Sequence, residues 1–222
     1  MDAQTGEALI AQINAIIGGA IVLIIALAGL LVFLWGHLAR RSAELAELRR
    51  RTDALQDRQQ ILDCIMREAR GRDRQDVELS ASCYWPEGFD EHGPVITPLP
   101  DFPARANWGH AKFFSATMHN IATHNCEIEG DTAHCETYVI GGLLSADQQT
   151  MKLAPGRYFD RLEKRGEEWR ILYRRCTVEM SLEGSAEWVH SPAVKGFLRS
   201  VWSKEDVSYQ RPIEVGSDGV RW

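Results

Sequence analysis

Two side chains in this sequence, Asp73 and His119, could together perform acid and base chemistry. Asp73 ends a helical repeat in the segment Arg72-Asp73-Arg74-Gln75-Asp76, and His119 precedes a run typical of a strand. When helices pack on one face of a sheet, both positions can face the same interior. A carboxylate behind an imidazole orients the ring and raises its basicity for proton transfer. Each residue also has a simpler interpretation, Asp73 as a solvated helix-end charge and His119 as a boundary histidine.

Other chemistries have weaker support in the sequence. His92 can simply stabilise the turn-like segment 89–93, and His124 can point outward from a strand. These histidines show no spacing typical of a metal site, so we expect no metal and no cofactor. The sequence contains no glycine-rich phosphate loop, His-Glu-x-x-His motif or Gly-x-Ser-x-Gly elbow. Nucleotide hydrolysis, zinc proteolysis and α/β-hydrolase chemistry therefore lack their usual residues.

The composition is that of a globular chain with one core and an appendage. The chain has 222 residues, of which 45% are hydrophobic and 25% are charged. Lys and Arg number 25 against 31 Asp and Glu, a net charge of −6, which argues against a nucleic-acid-binding module. The five cysteines form no Cys-x-x-Cys pair and are odd in number, which favours a reducing compartment over a disulfide framework: Cys64, Cys83, Cys126, Cys135 and Cys176.

Residues 15–36 contain no charged side chain and predict one transmembrane helix after a short tail, 1–14. At about 1.5 Å per residue such a helix is long enough to cross a bilayer. A cleaved signal peptide fits less well, because Asp2 and Glu7 precede the segment and no basic residue does. The arginines that follow it place the C-terminal domain in the cytoplasm by the positive-inside rule: Arg40, Arg41, Arg49, Arg50 and Arg51.

Residues 37–56 predict a charged juxtamembrane helix. Leu45, Leu48, Leu55 and Leu62 fall on one helical stripe with heptad-like steps. A short parallel coiled coil and a single charged helix that continues into the domain both fit this pattern. Formation of a homo-oligomer is therefore left open.

The rest of the chain predicts an α+β domain over residues 57–182. Apolar periodicity and turn residues indicate helices at 57–74, 76–83 and 104–120, with a proline-rich loop at 93–103. Segments rich in β-branched and aromatic residues then predict long antiparallel strands at 121–129, 133–144, 157–164 and 169–180. We expect residues 183–222 to form an extension that covers a sheet edge or a pocket mouth.

In several segments the sequence resembles the SnoaL-like branch of the NTF2-like superfamily. The resemblance runs in order from about residue 55 to 212 and excludes the apolar segment. Its main pieces are Asp57-Arg58-Gln59-Gln60-Ile61, Ala69-Arg70-Gly71-Arg72-Asp73, Ser82-Cys83-Tyr84, Asp90-Glu91-His92-Gly93, Gly130-Asp131-Thr132-Ala133, Gly156-Arg157-Tyr158-Phe159-Asp160, Glu168-Trp169-Arg170-Ile171 and Ser208-Tyr209-Gln210-Arg211-Pro212.

This resemblance implies a cone-shaped barrel in which helices pack on a curved antiparallel sheet around a deep apolar pocket. It implies an acid/base dyad at the positions of Asp73 and His119, and substrate contacts from Tyr84, His92 and Tyr158. Dehydratase-like members often carry a tyrosine five residues before the aspartate, where this chain has Glu68. Glu68 could replace that donor only if burial raised its pKa.

We expect the protein to be a membrane-anchored, cofactor-independent enzyme. It would be a dehydratase, another eliminating enzyme or an isomerase. Its substrate would be a small, mostly apolar cyclic molecule such as a steroid, terpenoid or polyketide. A non-catalytic ligand-binding or assembly module is the main alternative, because a shared fold does not determine chemistry. A subunit that partners a membrane-bound oxidase or oxygenase is a third.

Overall fold

The computed structural model describes residues 3–99, 101–216 and 218–222 of the chain. Asp2 and Pro100, which contributed to the sequence predictions, lie outside the described residues. The chain divides into two compact units, Met1–Leu55 and Gln56–Trp222.

The first helix, α1, spans Ala3–Asp73 without interruption. It includes residues 3–14 of the predicted tail, the apolar segment and the predicted first domain helix, 57–74. The part of α1 that belongs to the first unit exposes its apolar side chains, including Trp35 and the stripe leucines Leu45, Leu48 and Leu55. By length and composition alone, this helix could cross a membrane.

After α1, the described residues of the second unit form two further α-helices, seven strands and two 3-10 turns, Glu187–His190 and Val207–Tyr209. Their bounds are α2 Val77–Ser82, β1 Tyr84–His92, β2 Val95–Pro98, α3 Asp101–Phe113, β3 Phe114–Glu129, β4 Thr132–Ser145, β5 Thr150–Arg165, β6 Glu168–Val178 and β7 Leu182–Ser185. The predicted helix 76–83 and the four long predicted strands are present with shifted ends. Strands β1 and β2 were not predicted, since Pro86, Gly88 and the proline-rich run suggested loops there, and the short strand β7 was not predicted either.

The strands form one mixed sheet in the order β2-β1-β6-β5-β4-β3, with β7 paired to β5. The predicted antiparallel sheet is therefore wrong in one place, because β1 pairs with β6 in parallel. A hairpin forces its two strands to be antiparallel, whereas β1 and β6 are joined through α3 and four other strands, so their relative direction is free.

The predicted helix 104–120 ends early, at Phe113. From Phe114 onward the backbone pairs with β4, beginning at Ser145. Phe113, Phe114 and Met118 fit a helical pattern locally, but the long ladder with β4 outweighs this preference. His119 consequently lies within β3 rather than at a helix end.

The core lies between the last turns of α1 and the inner face of the sheet. Ile61, Cys64 and Ile65 of α1 are fully buried, as are Leu162 and Ile171 of the strands. The Asp57 carboxylate adds a polar link at the edge of this core, where it accepts hydrogen bonds of 2.8 Å each from Lys164 Nζ and Trp169 Nε1.

The C-terminal extension packs against the end of α1. Tyr209 donates to the Asp76 carboxylate at 2.7 Å, Arg70 donates to the Ser208 carbonyl at 3.1 Å, and Arg74 pairs with Asp206 at 3.0 Å. These contacts attach residues 206–209 to the last turn of α1 and to the short segment that follows Asp73.

Substitution of Ile65 by Ala is expected to destabilise the domain by about 2–5 kcal/mol, because a buried side chain of this size leaves a cavity. Chemical unfolding followed by tryptophan fluorescence measures the change. Met66→Ala is the matched control, since Met66 is 45% exposed one position along the same helix. Equal losses for the two variants would contradict this position of the core.

Candidate active site

Asp73 and His119 are in direct contact inside the domain. Asp73 Oδ1 lies 2.6 Å from His119 Nδ1 and accepts a hydrogen bond of 3.1 Å from Thr117 Oγ1. Asp73 Oδ2 accepts the backbone N–H of His119 at 2.7 Å. The structure thus brings together the two residues that the sequence singled out.

The positions of both residues follow from the elements that carry them. Asp73 is the last residue of α1, while Thr117 and His119 are two apart on β3 and so share one face of the sheet. Both dyad side chains are less than one-tenth exposed. The carboxylate selects the tautomer with the proton on Nδ1, which leaves Nε2 as the basic nitrogen.

A second histidine, His110 of α3, packs against the dyad. Its ring stacks on the His119 ring with centroids 5.5 Å apart and an interplanar angle of 22°. Burial, together with the positive charge of Arg72, lowers the pKa of His110 to about 3. His110 is therefore neutral at physiological pH.

Next to the dyad, the interior is charged rather than apolar. Arg174 binds both oxygens of Asp160, at 2.7 and 2.8 Å, and donates to Glu68 at 2.5 Å. Ser80 Oγ also donates to Glu68, at 3.3 Å. Arg174, Glu68 and Asp160 are all buried, so ion pairs occupy this part of the interior.

In the structure, Glu68 is an ion-pair partner of buried arginines and not a second acid. Burial alone would raise the pKa of Glu68, but the charges of Arg174, Arg72 and His119 outweigh it and hold the pKa below its usual value. The condition for proton donation, a raised pKa, is not met. Glu68 is an anion that balances buried arginines.

Arg72 was missed in the sequence, and it lies beside the site. Its side chain is 2% exposed, and its guanidinium lies 5.3 Å from the Phe102 ring centre. Arg72 Nε and Nη1 are buried and have no hydrogen-bond partner among the described residues. The side-chain amide nitrogen and oxygen of Asn107, one helical turn before His110, are also buried and have no hydrogen-bond partner among the described residues.

The predicted tyrosines and His92 lie in the domain interior or at its edge. Tyr84 and Tyr158 are buried, and burial raises the pKa of each. Tyr84 donates to Asp90 at 3.3 Å, and His92 Nδ1 lies 3.6 Å from the other Asp90 oxygen. Tyr158 stacks under Arg174, whose guanidinium carbon is 4.1 Å from the ring centre.

One group of residues could share a metal ion. The side chains of His124, Cys126 and Cys135 place their ligand atoms within 4.8 Å of one another. His124 follows His119 by five residues along β3, so this group is separate from the dyad.

The family profile for the SnoaL-like domain matches residues 53–175, more than half of the chain, and includes both dyad residues. The chain belongs to the SnoaL-like family. The resemblance seen in the sequence is thereby confirmed, as is the NTF2-like α+β fold.

Several solved structures share this fold. A provisionally named scytalone dehydratase from Novosphingobium aromaticivorans is 18% identical, with a TM-score of 0.55, and the match covers 59% of this chain and 90% of that one. A hexachlorocyclohexane dehydrochlorinase, LinA type 2, is 18% identical, with a TM-score of 0.57 and coverage of 60% and 92%. A Mycobacterium tuberculosis protein of unknown function is 25% identical, with a TM-score of 0.52 and coverage of 58% and 75%. None of the curated proteins matches significantly.

His92 is expected to make stability depend on pH. Burial disfavours its charged form, but the neighbouring Asp90 carboxylate and Cys176 outweigh burial and raise the pKa of His92 from 6.5 to about 9. A raised folded-state pKa stabilises the domain fully below pH 6.5, and this contribution is lost as the pH rises to 9. His92→Gln should therefore flatten the fall in unfolding free energy over that range. The exposed His134, replaced in the same way, is the control, and an unchanged slope in His92→Gln would exclude this role.

Proposed function

We propose that this protein is a cofactor-independent acid/base enzyme of the eliminating or isomerising type. The observation that carries the proposal is the buried hydrogen bond between Asp73 and His119, which leaves His119 Nε2 free to accept a proton. A general base of this kind suits removal of a proton from carbon next to an activating group.

In the proposed reaction, Nε2 of His119 takes a proton from a substrate carbon. The electron pair of that C–H bond then forms a double bond, either with expulsion of a leaving group from the neighbouring carbon or with transfer of charge to a carbonyl oxygen. The Asp73 carboxylate stabilises the imidazolium that results. In the isomerising case the same ring returns the proton to a different carbon.

Arg72 supports a substrate with an oxygen function. A buried guanidinium with two nitrogens that no described residue hydrogen-bonds can stabilise the negative charge that develops on a carbonyl or leaving-group oxygen. The buried amide of Asn107 offers a further polar contact. The substrate class that fits is a small cyclic molecule, such as a steroid, terpenoid or polyketide, with at least one oxygen near the reacting carbon. The names of the solved relatives, a dehydratase and a dehydrochlorinase, agree with elimination.

A non-catalytic binding or assembly module is the second candidate function. The observation in its favour is the ion-pair network of Arg174, Glu68 and Asp160, which occupies interior space that an apolar substrate would need. Ligand binding without turnover in the unaltered protein would favour this alternative.

The acid/base proposal predicts that His119→Ala lowers kcat by about 10²–10⁴-fold, the usual contribution of a general base. Ligands are first found by thermal shift with sterols, polyketides and chlorinated rings, and turnover of each ligand found is then measured by mass spectrometry. His134→Ala, on the exposed face of β4, is the control. Unchanged turnover in a folded His119→Ala variant would remove His119 from the mechanism.

We also propose that residues 15–36 anchor the protein in a bilayer, with the domain in the cytoplasm. The full chain should stay with membranes after alkaline extraction, and a variant without residues 1–36 should not, because it lacks the apolar helix. Protease added outside intact cells should leave the domain uncut. Alkaline release of the full chain would contradict the anchor, and external cleavage would contradict the orientation.

A further inference from the structure

Three side chains converge on the inner face of the sheet, where β3 pairs with β4. Cys126 lies directly opposite Cys135 in the register of the two strands, and His124 lies opposite Thr137. The Nδ1 or Nε2 atom of His124 and the two Sγ atoms all lie within 4.8 Å of one another. One nitrogen and two sulfurs at this separation can meet around a single ion.

The imidazole of His124 has one ring nitrogen held by a hydrogen bond and the other available to a ligand. His124 Nδ1 lies 2.8 Å from Thr137 Oγ1, and Thr137 is fully buried. His124 Nε2 is also buried, yet within the described ranges of the chain no group hydrogen-bonds to it. Metal-bound histidines are held in the same way, with one ring nitrogen hydrogen-bonded and the other on the metal.

The two thiols differ from the other close pair of cysteines in the domain. Cys64 and Cys83 donate to the backbone carbonyls of Cys83 and Leu79, both at 3.3 Å, so these thiols have ordinary hydrogen bonds. The Sγ atoms of Cys126 and Cys135 instead lie within 4.8 Å of each other and of a ring nitrogen of His124.

We propose that His124, Cys126 and Cys135 bind a thiophilic divalent cation of the zinc type, a role not expected from the sequence. Two thiolates balance the charge of Zn²⁺, the His124 nitrogen supplies a third ligand, and binding releases the thiol protons. Arg58 of α1 donates to the Cys126 carbonyl at 2.8 Å, so the site lies where the helix is attached to the sheet. This inference is independent of the chemistry at Asp73 and His119.

The test is metal binding by the full chain in detergent under a thiol-free reductant. Zn²⁺ is titrated in competition with a chromophoric chelator, and Co²⁺ replaces it for absorption spectroscopy. We expect one equivalent of tightly bound Zn²⁺ and a Co²⁺ spectrum with thiolate-to-metal charge transfer. Bound Zn²⁺ should also raise the Tm, because it binds only the folded form.

Cys126→Ser and Cys135→Ser should each abolish the charge-transfer spectrum of a two-thiolate site, and His124→Ala should abolish stoichiometric binding. Cys176→Ser, at a half-buried cysteine outside the cluster, should bind as the unaltered protein does. Thr137→Val keeps the shape of the site but removes the hydrogen bond to His124, so it should weaken binding by about tenfold.

Three results would overturn the proposal. The first is reduced, folded protein that takes up no Zn²⁺. The second is binding that survives in both cysteine variants. The third is a Cys126–Cys135 disulfide that persists under the same reductant. Mass spectrometry would detect it as a loss of about 2 Da. Because the Co²⁺ spectrum of the unaltered protein reports its thiolate ligands directly, the test does not depend on the variants folding.

Discussion

The hydrogen bonds of the Asp73 carboxylate hold the C-terminal end of α1 against β3. Both carboxylate oxygens are used, and the three donors come from only two residues, Thr117 and His119. Hydrogen bonds to an ionised group are roughly twice as strong as neutral ones, and they are stronger still away from water. The contact that orients His119 is therefore also one that attaches helix to sheet. A defect at Asp73 would affect stability and chemistry together, whereas a change at His119 leaves the Thr117 and backbone bonds in place.

The buried arginines set the electrostatics around this contact. Isolated buried charges cost several kcal/mol each, so they persist only with close partners. Arg174 has two carboxylates, Asp160 and Glu68, which together satisfy its charge. Arg72 is 3.9 Å from Glu68 and has no comparably close ion pair in the described ranges. The difference between the two arginines makes Arg72 the cation best able to interact with a bound molecule.

The sequence predicted the fold class and singled out the two side chains that the structure places in contact, but it did not predict the surroundings of that pair. Asp73 and His119 could be found because the family resemblance assigns them positions, and the structure places them in contact. Arg72 could not be distinguished from Arg67, Arg70 and Arg74, since burial depends on which face of α1 meets the sheet. His110 was assigned to a helix that also held His119, and only the end of α3 at Phe113 allows the two rings to stack. Glu68 could be considered as an acid because its ion-pair partner could not be identified from the sequence. That partner, Arg174, is more than a hundred residues away in the chain.

The pairing of β3 with β4 explains why one strand can serve two sites. In a regular strand, His119 and His124 would point to opposite faces, because they are five residues apart and side chains alternate. Between Ile121 and His124, β3 advances three residues while β4 advances two, from Val139 to Thr137. This bulge adds one residue to β3 and reverses its alternation, so His124 turns inward with His119. The outward His124 considered from the sequence is thus replaced by an inward one, and Cys126 follows it to the position opposite Cys135. Without the extra residue in β3, only His119 of these two histidines would face the interior. With it, both His119 and His124 do.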